Sequence, residues 1–128
     1  EVPMDPQLAE DIYVLDRCVE CGCCIAGCGT VRIRPDFVGG VGINKIARFR
    51  LDPRDTRNDA DYYDIVGDES GVFGCMSLLA CHDFCPKELP LKTQIAFIRR
   101  KMAEQGMRGY DKVLPTQKKA IPIKPARQ

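Results

Sequence analysis

Eight cysteines fall into two short groups, and the spacing within them constrains this 128-residue chain more than any other feature. The first group is Cys18, Cys21, Cys23, Cys24 and Cys28; without Cys23 it reads C-x2-C-x2-C-x3-C. The second is Cys75, Cys81 and Cys85, followed by Pro86, and reads C-x5-C-x3-C-P. Laid over the first, the second group repeats the same frame, with Leu78 where a cysteine would stand. One motif is written twice, with one sulfur missing from the second copy.

The run C-x2-C-x2-C-x3-C-P is the iron–sulfur run of two-cluster bacterial ferredoxins, in which the fourth thiolate ligates the other cluster. Applied here, that rule gives one centre Cys18, Cys21, Cys24 and, from the second run, Cys85. Four thiolates make it a [4Fe–4S] cluster. The other centre receives Cys75, Cys81 and, from the first run, Cys28. It has three ligands, and an aliphatic Leu78 cannot hold iron, so a [3Fe–4S] cluster is expected. Eight cysteines could instead pair as four disulfides, and C-x2-C pairs also serve zinc. No secretory leader accompanies the cysteines, and a doubled four-cysteine frame is not a zinc signature.

Cys23 falls outside the frame and is expected to be a buried, small apolar residue, not a ligand. Gly22, Gly27 and Gly29 are expected to let the backbone approach the sulfurs. Backbone N–H groups aimed at sulfur would raise a cluster's potential. His82, the single histidine, follows Cys81; it reads as an iron ligand or proton relay, or as an ordinary hydrogen-bonding surface residue. Met76, Leu78, Leu79 and Phe84 are expected to shield the clusters from water.

Helical patterning surrounds the runs. Asp5-Pro6 forms a cap-and-start signal, after which Leu8, Ile12 and Leu15 share a face. A second helix is expected over 41–50, with Ile43, Ile46 and Ala47 inward. Residues 52–70 carry seven acids and two arginines and read as a loop or short irregular helix. Residues 72–82 are apolar and helix-compatible. Pro90 opens the clearest helix, with Leu91, Ile95, Ile98 and Met102 on one face and Gly106 placed to end it. No strand alternation is evident, so the class is all-α. The length suits one domain, assigned to 1–107, followed by a tail. The tail, 108–128, holds six bases against one acid, a net +5, and leaves −4 on residues 1–107. Its prolines at 115, 122 and 125 suggest an extended segment. The total of +1 argues against nucleic-acid binding. No run approaches membrane-span length. The start at Glu1, without Met, suggests a processed chain or a fragment. Nucleotide fingerprints, nucleophile elbows and paired catalytic carboxylates are not found. Two clusters without a source or sink of electrons imply one part of a complex.

The stretches CVECGCCIAGCGT (18–30), RPDFVGGVGINKIARF (34–49), GVFGCMSLLACHDFCPKELPL (71–91) and IAFIRRKM (95–102) closely resemble a known family. It is the C-terminal domain of the iron–sulfur subunit of succinate dehydrogenase and fumarate reductase, and the wording is most like the menaquinol:fumarate reductase branch. The resemblance implies an α-helical ferredoxin fold and places the family's ligands on the same seven cysteines. It further implies an electron-transfer subunit of an oxidoreductase that relays electrons between a membrane quinone and a flavoprotein interconverting fumarate and succinate. FAD and a plant-type [2Fe–2S] domain are expected elsewhere in the complex, along with a membrane anchor subunit binding quinone. The location implied is peripheral, on the cytoplasmic face of the inner membrane. The family's C-x4-C-x2-C…C run is absent here, and Met76 stands where some members have His. An alternative is a subunit of a heterodisulfide-reductase-like or anaerobic glycerol-3-phosphate-dehydrogenase-like complex. Those relatives would be expected to carry Cys at position 78 and two four-iron clusters.

Overall fold

The computed structural model of the chain describes residues 2–112. Helices dominate, and no strand occurs among the described residues, as the patterning predicts. In order they are α1 (Pro6–Asp16), α2 (Cys23–Ala26), α3 (Gly29–Ile33), α4 (Gly39–Leu51), α5 (Asp59–Val66), a 3-10 turn (Val72–Gly74), α6 (Ala80–Asp83) and α7 (Leu91–Lys112).

The long helices form the frame. α4 packs along α7, α1 packs on α4, and α5 packs on α7. Their contact is made by apolar stripes: Ile43 and Ala47 from α4 meet Leu91, Ile95, Ile98 and Met102 from α7, all buried. α1 adds Leu15, and α5 adds Tyr62 and Val66. Asp5 caps α1 as expected, its carboxylate accepting from the N–H of Gln7 at 2.9 Å and of Leu8 at 3.3 Å. The end of α1 is tied to α4: buried Asn44 donates from Nδ2 to the Leu15 carbonyl at 3.1 Å, and Arg48 bonds Asp16 at 2.8 Å. Both contacts fix the backbone just before Cys18.

Three local expectations need correction. Residues 72–82 are not one helix but a 3-10 turn, an irregular stretch and the four-residue α6. Left-handed φ angles at Ser77 and Leu79 prevent a continuous helix. Residues 59–66, inside the acidic stretch, form a regular helix with a capping box. Asn58 Oδ1 accepts from the N–H of Ala60 and Asp61, while Asp61 Oδ2 accepts from the N–H of Asn58 at 2.8 Å. Gly106 does not end α7, which continues to Lys112 and so takes in residues 108–112 of the segment assigned to the tail. Gly106 instead faces α5, where a Cβ would lie 3.3 Å from the Tyr63 ring and hydroxyl. The remainder of the basic tail, residues 113–128, lies outside the described residues.

Candidate metal centres

The repeated cysteine frame is also a repeated backbone. In the first run the residues two and four places after Cys18, Glu20 and Gly22, have φ of 56° and 81°. In the second run the residues two and four places after Cys75, Ser77 and Leu79, have φ of 57° and 62°. A four-residue helix follows each: α2 after Gly22 and α6 after Leu79. Each is closed by the same bond, Gly27 N–H to Cys23 O at 3.0 Å and Phe84 N–H to Ala80 O at 2.9 Å. Two left-handed residues around a thiol turn the chain through a tight curl, so successive side chains at x2 spacing face one centre.

This correspondence gives each uncertain residue a counterpart. Leu78 stands at the station that Cys21 fills in the first run, between the two left-handed residues. Cys23 stands at the station of Ala80, the first residue of the short helix. Cys28 and Cys85 are counterparts at the ends of their curls.

The curls lie against the α4–α7 frame and enclose two cavities. One is lined by Cys18, Cys21, Cys24 and Cys85, with Val41, Leu89 and Leu91 behind them. The other is lined by Cys28, Cys75, Cys81 and Leu78, with Phe37, Ile43 and Ile95 behind. Each cavity thus gathers cysteines from both runs. Cys23 lines neither and is exposed, so it is not the buried residue expected from sequence. All eight cysteines are free thiols. Among the described residues, no three His, Cys, Asp or Glu side chains converge on one point as a single metal ion requires. The thiols are spread around cavity walls, where a polynuclear cluster takes its ligands at separate corners.

Gly40 separates the cavities. A Cβ there would meet the Cβ of Cys81 at 3.2 Å and that of Cys24 at 3.5 Å, one cysteine from each site. α4 approaches both curls this closely because position 40 has no side chain. A Cβ on Gly27 would strike the Phe84 ring at 2.2 Å, and one on Gly29 would lie 2.9 Å from Leu78 Cδ1. Both glycines clear room for side chains of the second run, while Gly22 supplies a left-handed φ of 81°. Phe84 and Leu78 each cover the first run with one face and remain more than half exposed on the other.

Burial pushes the Cys24 and Cys81 thiols up. Metal binding at either would displace the thiol proton. Cys21 is drawn below its ordinary value by the N–H of Cys23, and Cys23 is pushed up by the Cys21 side chain beside it. His82 is half-buried, and its Nδ1 has no hydrogen-bond partner among the described residues. It does not line either cavity.

The 4Fe-4S dicluster domain family matches residues 14–89. The chain belongs to that family. Among curated proteins, the chain is 59% identical over 102 residues to the fumarate reductase iron-sulfur subunit of Wolinella succinogenes, covering 80% of the chain and 43% of the relative. It is 30% identical over 98 residues to the succinate dehydrogenase iron-sulfur subunit of Bacillus subtilis, 77% of the chain and 39% of that relative. With the corresponding subunit of Coxiella burnetii it shares 32% over 96 residues, 74% of the chain and 40% of the relative. The chain therefore spans less than half the length of these relatives. No helix among the described residues is long and apolar enough to cross a membrane.

Proposed function

We propose that the chain holds a [4Fe–4S] cluster on Cys18, Cys21, Cys24 and Cys85, and a [3Fe–4S] cluster on Cys28, Cys75 and Cys81. The observation that carries this reading is the doubled curl. It puts Leu78 at the backbone station of Cys21, on the wall of a cavity whose lining includes three thiols. A hydrocarbon there offers no lone pair, so the fourth iron has no protein ligand. Cys23, at the station of Ala80 and outside both cavities, is not a ligand.

When bound, such clusters supply one-electron carriers. The residues of this chain would hold them by thiolate against Ile43, Ile95 and Leu91, with Gly40 admitting α4 close to a cysteine of each site. Such an arrangement suits a relay and offers no group that transforms a substrate. The similarity to fumarate reductase and succinate dehydrogenase subunits supports a place in the same kind of oxidoreductase. There the chain passes electrons between a membrane quinone or quinol and a flavoprotein that interconverts fumarate and succinate. The partners in this reading are that flavoprotein with its FAD, a [2Fe–2S] domain and a quinone-binding membrane anchor. The location is peripheral, on the cytoplasmic face of the inner membrane. Leu78 favours this reading over a heterodisulfide-reductase-like or glycerol-3-phosphate-dehydrogenase-like complex.

Anaerobic purification, iron and sulfide analysis, and EPR test the assignment. An oxidised [3Fe–4S] cluster is paramagnetic and an oxidised [4Fe–4S] cluster is silent. The expected result is seven irons per chain and a signal in the oxidised state that disappears on reduction. Zinc, disulfides or two silent four-iron clusters would refute it.

A further inference from the structure

The two curls are held by cations from the two long helices, and the cations are matched differently. In the first curl the left-handed residue is Glu20, and Lys45 of α4 pairs with its carboxylate at 2.7 Å. In the second curl the equivalent left-handed residue is Ser77, and Arg99 of α7 takes the place of Lys45. Arg99 Nη1 donates to Ser77 Oγ at 2.9 Å and Nη2 donates to the Cys75 carbonyl at 2.6 Å. Arg99 lies one turn beyond Ile95, which lines the second cavity. Lys45 is neutralised by the residue it holds. Arg99 holds a neutral hydroxyl and a carbonyl, and no carboxylate pairs with it among the described residues.

We infer that Arg99 is a positioning residue whose uncompensated charge raises the reduction potential of the second site. The inference rests on the cluster assignment proposed above. Two physical effects act in the same direction. A fixed cation beside a site favours the state carrying one more electron, and in a partly buried setting that attraction is poorly screened. The fork of the guanidinium also fixes the Cys75–Ser77 turn, in which the Ser77 N–H approaches Cys75 Sγ at 3.4 Å. Hydrogen bonds to sulfur likewise favour the reduced cluster. Ser77 has a backbone conformation that side-chain-bearing residues rarely adopt, and the grip of Arg99 offsets that strain. The first site has the Lys45–Glu20 pair in the same place and gains no net charge from it; the further cation on that cavity's wall, Lys87, is exposed and screened by water.

The test is a mediated redox titration of the anaerobically purified protein, following each site by EPR as it takes one electron from dithionite. Arg99→Gln removes the charge and half of the fork. It should lower the midpoint of the second site and leave that of the first unmoved. Ser77→Glu keeps Arg99 but supplies the missing carboxylate, rebuilding the first curl's arrangement at a station where Glu20 shows that glutamate fits. It should lower the same midpoint, and Arg99→Lys, which keeps the charge, should restore most of the loss seen in Arg99→Gln. Unchanged midpoints in both Arg99→Gln and Ser77→Glu, or equal shifts at both sites, would overturn the inference while leaving the cluster assignment intact. Absence of iron and sulfide from the unaltered protein would overturn both.

Discussion

Leu78 carries the chemical difference between the two curls, because the backbone around it repeats that around Cys21. Leu78→Cys therefore places a thiol where the first run already uses one. The expected outcome is an eighth iron per chain, loss of the oxidised-state EPR signal and a lower potential at that site. Retention of the signal would count against the proposal that position 78 faces an unfilled corner of the cluster. Asp52 carries a separate, structural prediction. It is buried, and hydrogen bonds from Arg54, with Arg48 nearby, hold its carboxyl down to about 2. A carboxyl depressed on folding stabilises above its ordinary range, and that stability is lost as pH falls through the folded value. The stability difference between the unaltered protein and Asp52→Asn should be full above about pH 5 and shrink mainly between pH 4 and 2. Denaturant midpoints for the two proteins across that range check it.

At the scale of elements, the long helices were legible from apolar spacing, since Ile43, Ala47, Ile95 and Ile98 are where a 3.6-residue period puts them. The short ones were not. α5 rests on Asn58 and Asp61 capping each other, a signal present in the sequence but obscured by the surrounding acids. Asn58→Ala should cost about 1 kcal/mol, read as a lowered denaturation midpoint. α6 and the stretch before it take their shape from two left-handed residues, Ser77 and Leu79, which neither propensity nor hydropathy marks. Gly106 looked like a stop because glycine commonly ends helices, yet its role is to admit the Tyr63 side chain. The cysteine groupings could be read from spacing alone, whereas the part played by Gly40 could not. It depends on which helix passes between the curls. Gly40→Val should hinder formation of both sites at once, seen as loss of iron and sulfide well beyond half. Loss from one site only would contradict the shared approach through α4.

For the whole molecule, the crossing of the runs makes metal and fold interdependent. Each cavity joins residues near position 20 to residues near position 80, and the apolar lining of both is shared with the α4–α7 core. Removing iron should therefore loosen that core and not only empty two pockets, as in other small metal-organised folds. Chelation under reducing conditions should abolish most of the helical circular dichroism and the cooperative thermal transition. A metal-free protein that stays helical and melts cooperatively would show that α1, α4, α5 and α7 suffice without the clusters.

The same crossing has a consequence for biosynthesis. The cavity of the first run includes Cys85, and that of the second run begins with Cys28. A nascent chain that has exposed all five cysteines of its first run still has neither donor set complete. The three-thiol set is complete only when Cys81 has cleared the ribosome, and the four-thiol set only when Cys85 has. Assembly of either centre then has to wait for the second run and cannot proceed motif by motif.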